Sequence, residues 1–328
     1  MKILIADKFE QAGIDAFRSM GHEVVSDPAL GPDALAGALN ESGADVLIVR
    51  STKVPAAVIE AASNLKGIIR AGAGHDNIDG AAAASAGIAV CNCPGMNAIA
   101  VAELAMGHLI ACDRRLGEQT SALRDGQWNK KEFAKARGLK GLTLGILGYG
   151  AIGAAVAERA KAFGMDLLVW TRSDRPEEFA RVGATFVGSD RASLLDLASK
   201  ADAISVHLPG GDATKHTLDA EFFAAMKDGA YFVNTARGTV VDEAALRSAV
   251  ESKHLRVGLD VYHDQPGTPQ TEWSTPTASL PHASLSHHAG ASTDQAQQAV
   301  AEEAVRIVRV FAESGTWENQ VNASPAIA

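Results

Sequence analysis

The chain has 328 residues, 47% of them hydrophobic and 5% aromatic, with a formal net charge of −9. That length allows one large or two medium domains. The acidic balance excludes nucleic acid or an anionic membrane as the main partner, because both need a basic face, while a local basic pocket for a small anion stays open.

From Met1 the chain runs straight into an apolar strand over 2–6, and Asp7 and Lys8 interrupt it early, so no signal peptide fits. No stretch approaches the roughly 18 apolar residues of a membrane span, and the expected location is cytoplasmic. Short buried strands are also expected over 46–49, 67–70 and 88–91, alternating with helical segments over 11–20, 32–41, 55–62 and 80–86. This alternation predicts a parallel sheet with helices on both faces. No glycine fingerprint follows the first strand, so this half should bind something other than a nucleotide. Cys91, Cys93 and Cys112 show no metal-ligand spacing and read as buried thiols in a reducing compartment, with no metal site expected.

Pro94, Gly95, Met96 and Asn97 make a turn, followed by a long helical segment from 98 to about 124 and a polar stretch over 125–131. A second α/β run opens near Leu142, with further strands expected over 166–170, 184–187, 201–207, 230–235 and 256–260. A last helix runs from 293 to about 313. The two long helices suggest a discontinuous first domain, residues 1–97 and 291–328, around a nucleotide-binding domain, residues 98–290.

The sharpest motif is Gly148-Tyr149-Gly150-Ala151-Ile152-Gly153, between an apolar strand and an alanine-rich helical stretch. Strand, glycine turn and helix in that order is the dinucleotide-binding arrangement. The first glycine makes the turn, the second lets backbone approach a pyrophosphate, and the third lets helix pack on strand. The helix N-terminus offers free N–H groups to the phosphates. Other strands end in His207-Leu208-Pro209, Asn234-Thr235-Ala236-Arg237 and Asp260-Val261-Tyr262-His263-Asp264-Gln265-Pro266, with Ser286-His287-His288-Ala289-Gly290 after a loop. Ligands bind at that edge of a doubly wound sheet.

With these motifs, Arg70 through Asp79, Asn97 through Glu103, and Asn234 through Asp242, the chain resembles the D-isomer-specific 2-hydroxyacid dehydrogenases over nearly its whole length. Within that family Arg50-Ser51-Thr52-Lys53-Val54, 125–133 and 140–150 are most similar to the D-3-phosphoglycerate dehydrogenase branch, in a short form without a C-terminal regulatory domain. The resemblance implies an α/β protein of two doubly wound parallel-sheet domains, a flavodoxin-like substrate domain and a Rossmann domain. It implies hydride transfer between NAD(P)(H) and C2 of a D-2-hydroxy acid, foremost 3-phosphoglycerate and 3-phosphohydroxypyruvate of serine biosynthesis. The alternatives are a glyoxylate or hydroxypyruvate reductase, a formate dehydrogenase-like enzyme, and a nucleotide-sensing protein like the corepressors built on this fold. The expected partners are a small 2-hydroxy or 2-oxo acid and a second copy of the chain, docked through the helix after Asn97 and the Trp128 segment.

The family chemistry suits the residue types. Arg237 can grip the substrate carboxylate or carbonyl. His288 can take the hydroxyl proton or return it. The amides around Ala73 and Gly74 can cradle the carboxylate, with Asn97 and Arg70 beside them. His207, Leu208, Pro209, Thr235, Ala236, Asp260 and Gly290 join the fingerprint as cofactor-binding candidates. A phosphorylated substrate needs further basic groups, and Arg50, Ser51, Lys53, Lys130 and Lys131 are the candidates, although a single lysine is more often solvated. His282 and His287 read as structural or solvent-facing.

Two positions depart from the family. Its members usually carry Glu before the proline that is here Pro266, where this chain has Gln265. Gln265 can hydrogen-bond the imidazole and fix its tautomer but supplies no negative charge; Asp264 could substitute if the loop is turned. Formate dehydrogenases share the Gln–His pair, which weakens the substrate assignment, although the chain lacks their extended N-terminal region. At the end of the second strand of the nucleotide fold, NAD enzymes place an acid for the ribose. Here Thr171, Arg172 and Ser173 stand there, which favours NADP(H) over NAD(H), against the reading that Arg172 simply faces solvent.

Overall fold

The computed structural model describes residues 1–267 and 270–322. The chain divides into two units, Met1–Asn97 with Ser292–Ala328, and Ala98–Ala291. No helix among the described residues is long and apolar enough to cross a membrane.

The first unit is a parallel sheet in the order β2-β1-β3-β4-β5, with strands β1 (Lys2–Ile5), β2 (Glu23–Ser26), β3 (Val46–Val49), β4 (Gly67–Arg70) and β5 (Ala89–Asn92). Alternate side chains leave a strand on opposite faces. Ile3 and Ile5 therefore enter one core with Phe17 and with Ala304, Ile307 and Val308 of the helix Asp294–Ser314, while Leu4 joins Leu35, Leu47 and Ile68 on the other side. Burying each large side chain contributes about 1.5–3 kcal/mol. The C-terminal helix thus completes one face of a sheet built from the first hundred residues. The sequence pattern missed β2, whose residues are mostly exposed at the sheet edge and form no apolar run.

The second unit is a seven-stranded parallel sheet in the order β12-β11-β10-β9-β6-β7-β8. Its strands are β6 (Thr143–Leu147), β7 (Asp166–Trp170), β8 (Ala184–Gly188), β9 (Ala203–Val206), β10 (Tyr231–Asn234), β11 (Arg256–Leu259) and β12 (Ala283–Leu285). The last, a three-residue edge strand, also escaped the sequence pattern. Strand order reverses between β6 and β9, whose registers pair Leu147 with Val206. The crevice at their carboxyl ends is where doubly wound sheets take ligands.

The long helix expected over 98–124 is two helices, Ala98–Arg114 and Leu116–Arg124. Arg115 breaks it with a left-handed φ of 54°, and its guanidinium is held by Glu118 at 2.5 Å and Glu132 at 2.7 Å. Those ion pairs offset the backbone cost of a non-glycine residue in that region. Cys91, Cys93 and Cys112 are buried and free, and burial pushes each thiol up to about 12.

Candidate active site

The fingerprint stands on the turn from β6 into the helix Ala151–Ala162. Gly148 has φ of 91° and donates its N–H to the Trp170 carbonyl at 2.8 Å, and a Cβ there would lie 2.6 Å from the His207 carbonyl oxygen. A Cβ on Gly153 would lie 2.2 Å from the Gly148 carbonyl oxygen. Both glycines are required by the packing of strand, turn and helix. Gly150 differs: it is extended, at φ −87°, and nothing lies within 4 Å of where its Cβ would be. The space above Gly150 is a cradle, bordered by the helix N–H groups of Ala151 and Ile152. Tyr149 contributes backbone only, because its ring is buried edge-on against Phe179 at 4.8 Å.

Two buried polar atoms near this crevice lack a partner among the described residues. They are Oγ1 of Thr235, just past β10, and Nδ1 of His207, just past β9. A buried polar group left unpaired costs about 1–3 kcal/mol, so two of them at one sheet edge suit a bound polar ligand. The His207 Nε2 meets Ser205 Oγ at 2.9 Å, and burial pushes its imidazole down to about 3, so it stays neutral. Leu208 is buried beside it and Pro209 exposed. The open cradle, the free helix N-terminus and the unpaired atoms together fit a dinucleotide. Past β7, Thr171 is half-buried, while Arg172 and Ser173 are exposed.

The next two strand ends carry the ionisable groups. Asn234, 1% exposed at the end of β10, accepts the Ala236 N–H at 3.0 Å and donates to the Arg237 carbonyl at 3.0 Å. This shapes the turn that presents Arg237, which is half-buried and donates to the Ala236 carbonyl at 2.8 Å. Asp260, 1% exposed at the end of β11, gathers the turn after β12. Its carbonyl accepts the His288 N–H at 2.7 Å, its Oδ1 the Ala289 N–H at 2.8 Å, and its Oδ2 the Gly290 N–H at 2.9 Å. His288 has φ of 53° and is exposed.

Gln265 lies 2.5 Å from His288, Nε2 to Nδ1, whereas Asp264 is exposed and lies 3.7 Å from the His263 ring. The backbone N–H of Tyr262 donates to Gln265 Oε1 at 3.1 Å. A donor needs an acceptor, so the Tyr262 amide turns Oε1 toward itself and leaves Nε2 facing His288. Nδ1 then accepts, and the neutral ring carries its proton on Nε2. Sequence reasoning missed Asn234 and the Tyr262 amide as parts of this site; a polar residue ending a buried strand was the available signal for the first, and the second left none.

The remaining candidates lie as follows. Arg50, Ser51, Lys53, Arg70, Ala73, Gly74 and Asn97 belong to the first unit, and Lys130 and Lys131, both exposed, to the second. Asp7 accepts the backbone N–H groups of Arg50, Ser51 and Thr52 at 2.6 to 3.1 Å, ordering the turn past β3. The Arg50 guanidinium reaches Gln297 Oε1 at 2.8 Å and Ser292 Oγ at 3.3 Å, both uncharged. Asn92 donates to the Ala73 carbonyl at 2.6 Å, and Asn97 Oδ1 is buried without a partner among the described residues.

A profile of the D-isomer specific 2-hydroxyacid dehydrogenase NAD binding domain matches residues 106–290. The chain is 43% identical over 277 residues to the hydroxypyruvate reductase of Thermotoga maritima, covering 83% of this chain and 85% of that one. It is 38% identical over 315 residues to the D-3-phosphoglycerate dehydrogenase of Methanocaldococcus jannaschii, covering 94% of this chain but only 58% of that longer protein. Its fold overlays the crystal structure of a glyoxylate reductase from Paecilomyes thermophila with a TM-score of 0.85 at 31% identity, covering 98% of each chain.

The cradle generates a direct test. A Cβ at position 150 has no described atom beyond its chain neighbours within 4 Å, and Val suits extended backbone, so thermal stability of Gly150→Val is expected to change by less than about 1 kcal/mol. Affinity for NADH and NADPH, read by quenching or by nicotinamide fluorescence, is expected to fall at least about tenfold. Unchanged affinity for both nucleotides would remove the cradle from the site.

Proposed function

Because the chain belongs to the D-isomer-specific 2-hydroxyacid dehydrogenase family, we propose that it interconverts 3-phosphohydroxypyruvate and D-3-phosphoglycerate, with NADP(H) preferred to NAD(H). The observation that carries the phosphorylated substrate is Arg50. Its guanidinium is fixed by two uncharged acceptors, Gln297 and Ser292, and no carboxylate among the described residues pairs with it, so its charge is positioned and available to a phosphate. Ser51 and Lys53 follow it on the same Asp7-ordered turn. In the second unit, the exposed Lys130 and Lys131 are candidates to bind an anion. The cofactor preference is supported by Thr171, Arg172 and Ser173 after β7, with no carboxylate before Asp174. A second reading, hydroxypyruvate or glyoxylate reduction, is favoured by the Thermotoga maritima relative, of which this chain covers most of the length. The exposed Leu116, Leu123 and Trp128, the last 81% exposed, support a homodimer built on that segment.

A bound nicotinamide would exchange hydride with C2. The fingerprint turn and helix N-terminus would hold its pyrophosphate, and Thr235, His207 and Asp260 its polar edges. Arg237 grips the acid's carboxylate or its carbonyl oxygen; in the first unit the Ala73 and Gly74 amides are candidates to bind a carboxylate. His288 meets the C2 oxygen through Nε2. With the proton on Nε2, as the Tyr262–Gln265 arrangement dictates, His288 donates a hydrogen bond to a carbonyl oxygen, which suits the 2-oxo acid. Full proton transfer needs the imidazolium, and its Nδ1–H needs an acceptor. Gln265 supplies one only by turning its amide and giving up the Tyr262 N–H.

The substrate assignment is tested by initial rates with 3-phosphohydroxypyruvate, hydroxypyruvate and glyoxylate, each with NADPH and NADH. The phosphorylated acid with NADPH is expected to be best, and Arg50→Ala should raise its KM about tenfold or more while sparing glyoxylate. Preference for an unphosphorylated acid, with no effect of Arg50→Ala, would select the second reading.

Gln265→Glu tests the proton arrangement. A carboxylate accepts from Tyr262 N–H and from Nδ1–H together and favours the imidazolium. Reduction needs the protonated ring and oxidation the neutral one, so both the basic limb of kcat/KM for reduction and the acidic limb for oxidation should move up by about one pH unit or more. An unshifted profile would remove His288 from the proton path.

A further inference from the structure

The helix Ala98–Arg114 lies across β10, β11 and β12 and carries two polar side chains into that packing, Asp113, which accepts the Tyr231 hydroxyl at 2.9 Å, and His108. His108 is 4% exposed. Its Nδ1 lies 2.9 Å from Ser284 Oγ, and its Nε2 lies 2.9 Å from Ser286 Oγ. Ser284 is on β12 and Ser286 lies just after it. Room for the ring comes from Gly258 of β11, where a Cβ would stand 2.6 Å from the Cβ of His108.

The hydrogens in this cluster can be placed. Ser286 Oγ donates to Asp260 Oδ1 at 2.6 Å, a short bond to a carboxylate, which commits its only proton. Ser286 can therefore only accept from His108, so Nε2 carries the ring proton. Nδ1 is then the acceptor, and Ser284 is its donor. The result is one directed chain, Ser284 to His108 to Ser286 to Asp260, in which each bond polarises the next. It ends on the carboxylate that holds the Ala289 and Gly290 amides on the C-terminal side of His288. A neutral ring suits this order, and burial holds the His108 imidazole below the usual histidine range against the opposing pull of Asp260.

We propose that His108 is a positioning residue of the active site: by donating Nε2–H to Ser286 it fixes the hydroxyl that orients Asp260, and through Asp260 the turn that presents His288. The positioning of Asp260 stands on the geometry alone, while its effect on turnover rests on the proposed proton role of His288.

The test uses the full chain labelled with 15N-histidine. His108 is expected to give a neutral, Nε2-protonated pattern that does not titrate between pH 6 and 8, assigned by its loss in His108→Gln. In kinetics His108→Leu should lower kcat about tenfold, with little change in the KM for nucleotide. His108→Gln, which offers one donor and one acceptor to the two serines, should recover kcat to within about threefold of the parent. A titrating or Nδ1-protonated His108 would overturn the proposal, as would wild-type kcat in His108→Leu or failure of His108→Gln to restore it. The labelled spectrum of the parent decides the proton order even if His108→Leu folds poorly, because only His108→Gln is needed to assign it. It also separates the two readings, because it stands if His288→Ala proves fully active and the proton role of His288 falls.

Discussion

The buried carboxylate of Asp260 is the constraint on which the turn carrying His288 depends. It sits at the end of a buried strand, and through its side chain and its own carbonyl it collects three consecutive amides and one hydroxyl from the turn after β12. That turn includes His288 in a left-handed conformation, which costs of order 1–3 kcal/mol for a residue with a side chain. Hydrogen bonds to an ionised group contribute about 1.5–3 kcal/mol each, so the clamp outweighs the strain. His288 is exposed and able to meet a ligand, yet its backbone has little freedom.

The two units use the same topological device for different ends. Both sheets reverse strand order, and both reversals gather backbone amides. In the second unit the amides after β6 belong to a helix N-terminus beside Gly150, where no described atom beyond the chain neighbours lies within 4 Å of a built Cβ. In the first unit the amides after β3 are already taken by the side chain of Asp7. A carboxylate of the chain itself occupies these amides, which orders the turn that carries Arg50.

Much of this could be read from residue order. The fingerprint declared itself because strand, glycine turn and helix are consecutive, and period and composition report consecutive structure. Gln265 stood out because its neighbour Pro266 and the later His288 marked where an acid was expected. The edge strands β2 and β12 stayed hidden because edge residues are half exposed and form no apolar run. The break at Arg115 stayed hidden because its cause is tertiary: a left-handed arginine survives there through ion pairs to Glu118 and Glu132. The orientation of the Gln265 amide and the His108 chain stayed hidden for the same reason. Each depends on partners such as Tyr262 N–H, Ser286 and Asp260 that only the folded sheet brings together.

The most direct measurement is turnover of Asp260→Asn with its fold checked by circular dichroism and thermal unfolding. Asparagine keeps the shape but replaces one acceptor by a donor, which then faces an N–H or O–H of the turn. The account predicts a folded protein whose kcat falls about 100-fold, as expected when a reacting group is displaced by an ångström or so. A folded Asp260→Asn enzyme with kcat within threefold of the parent would contradict it, because the turn presenting His288 would then not depend on the carboxylate.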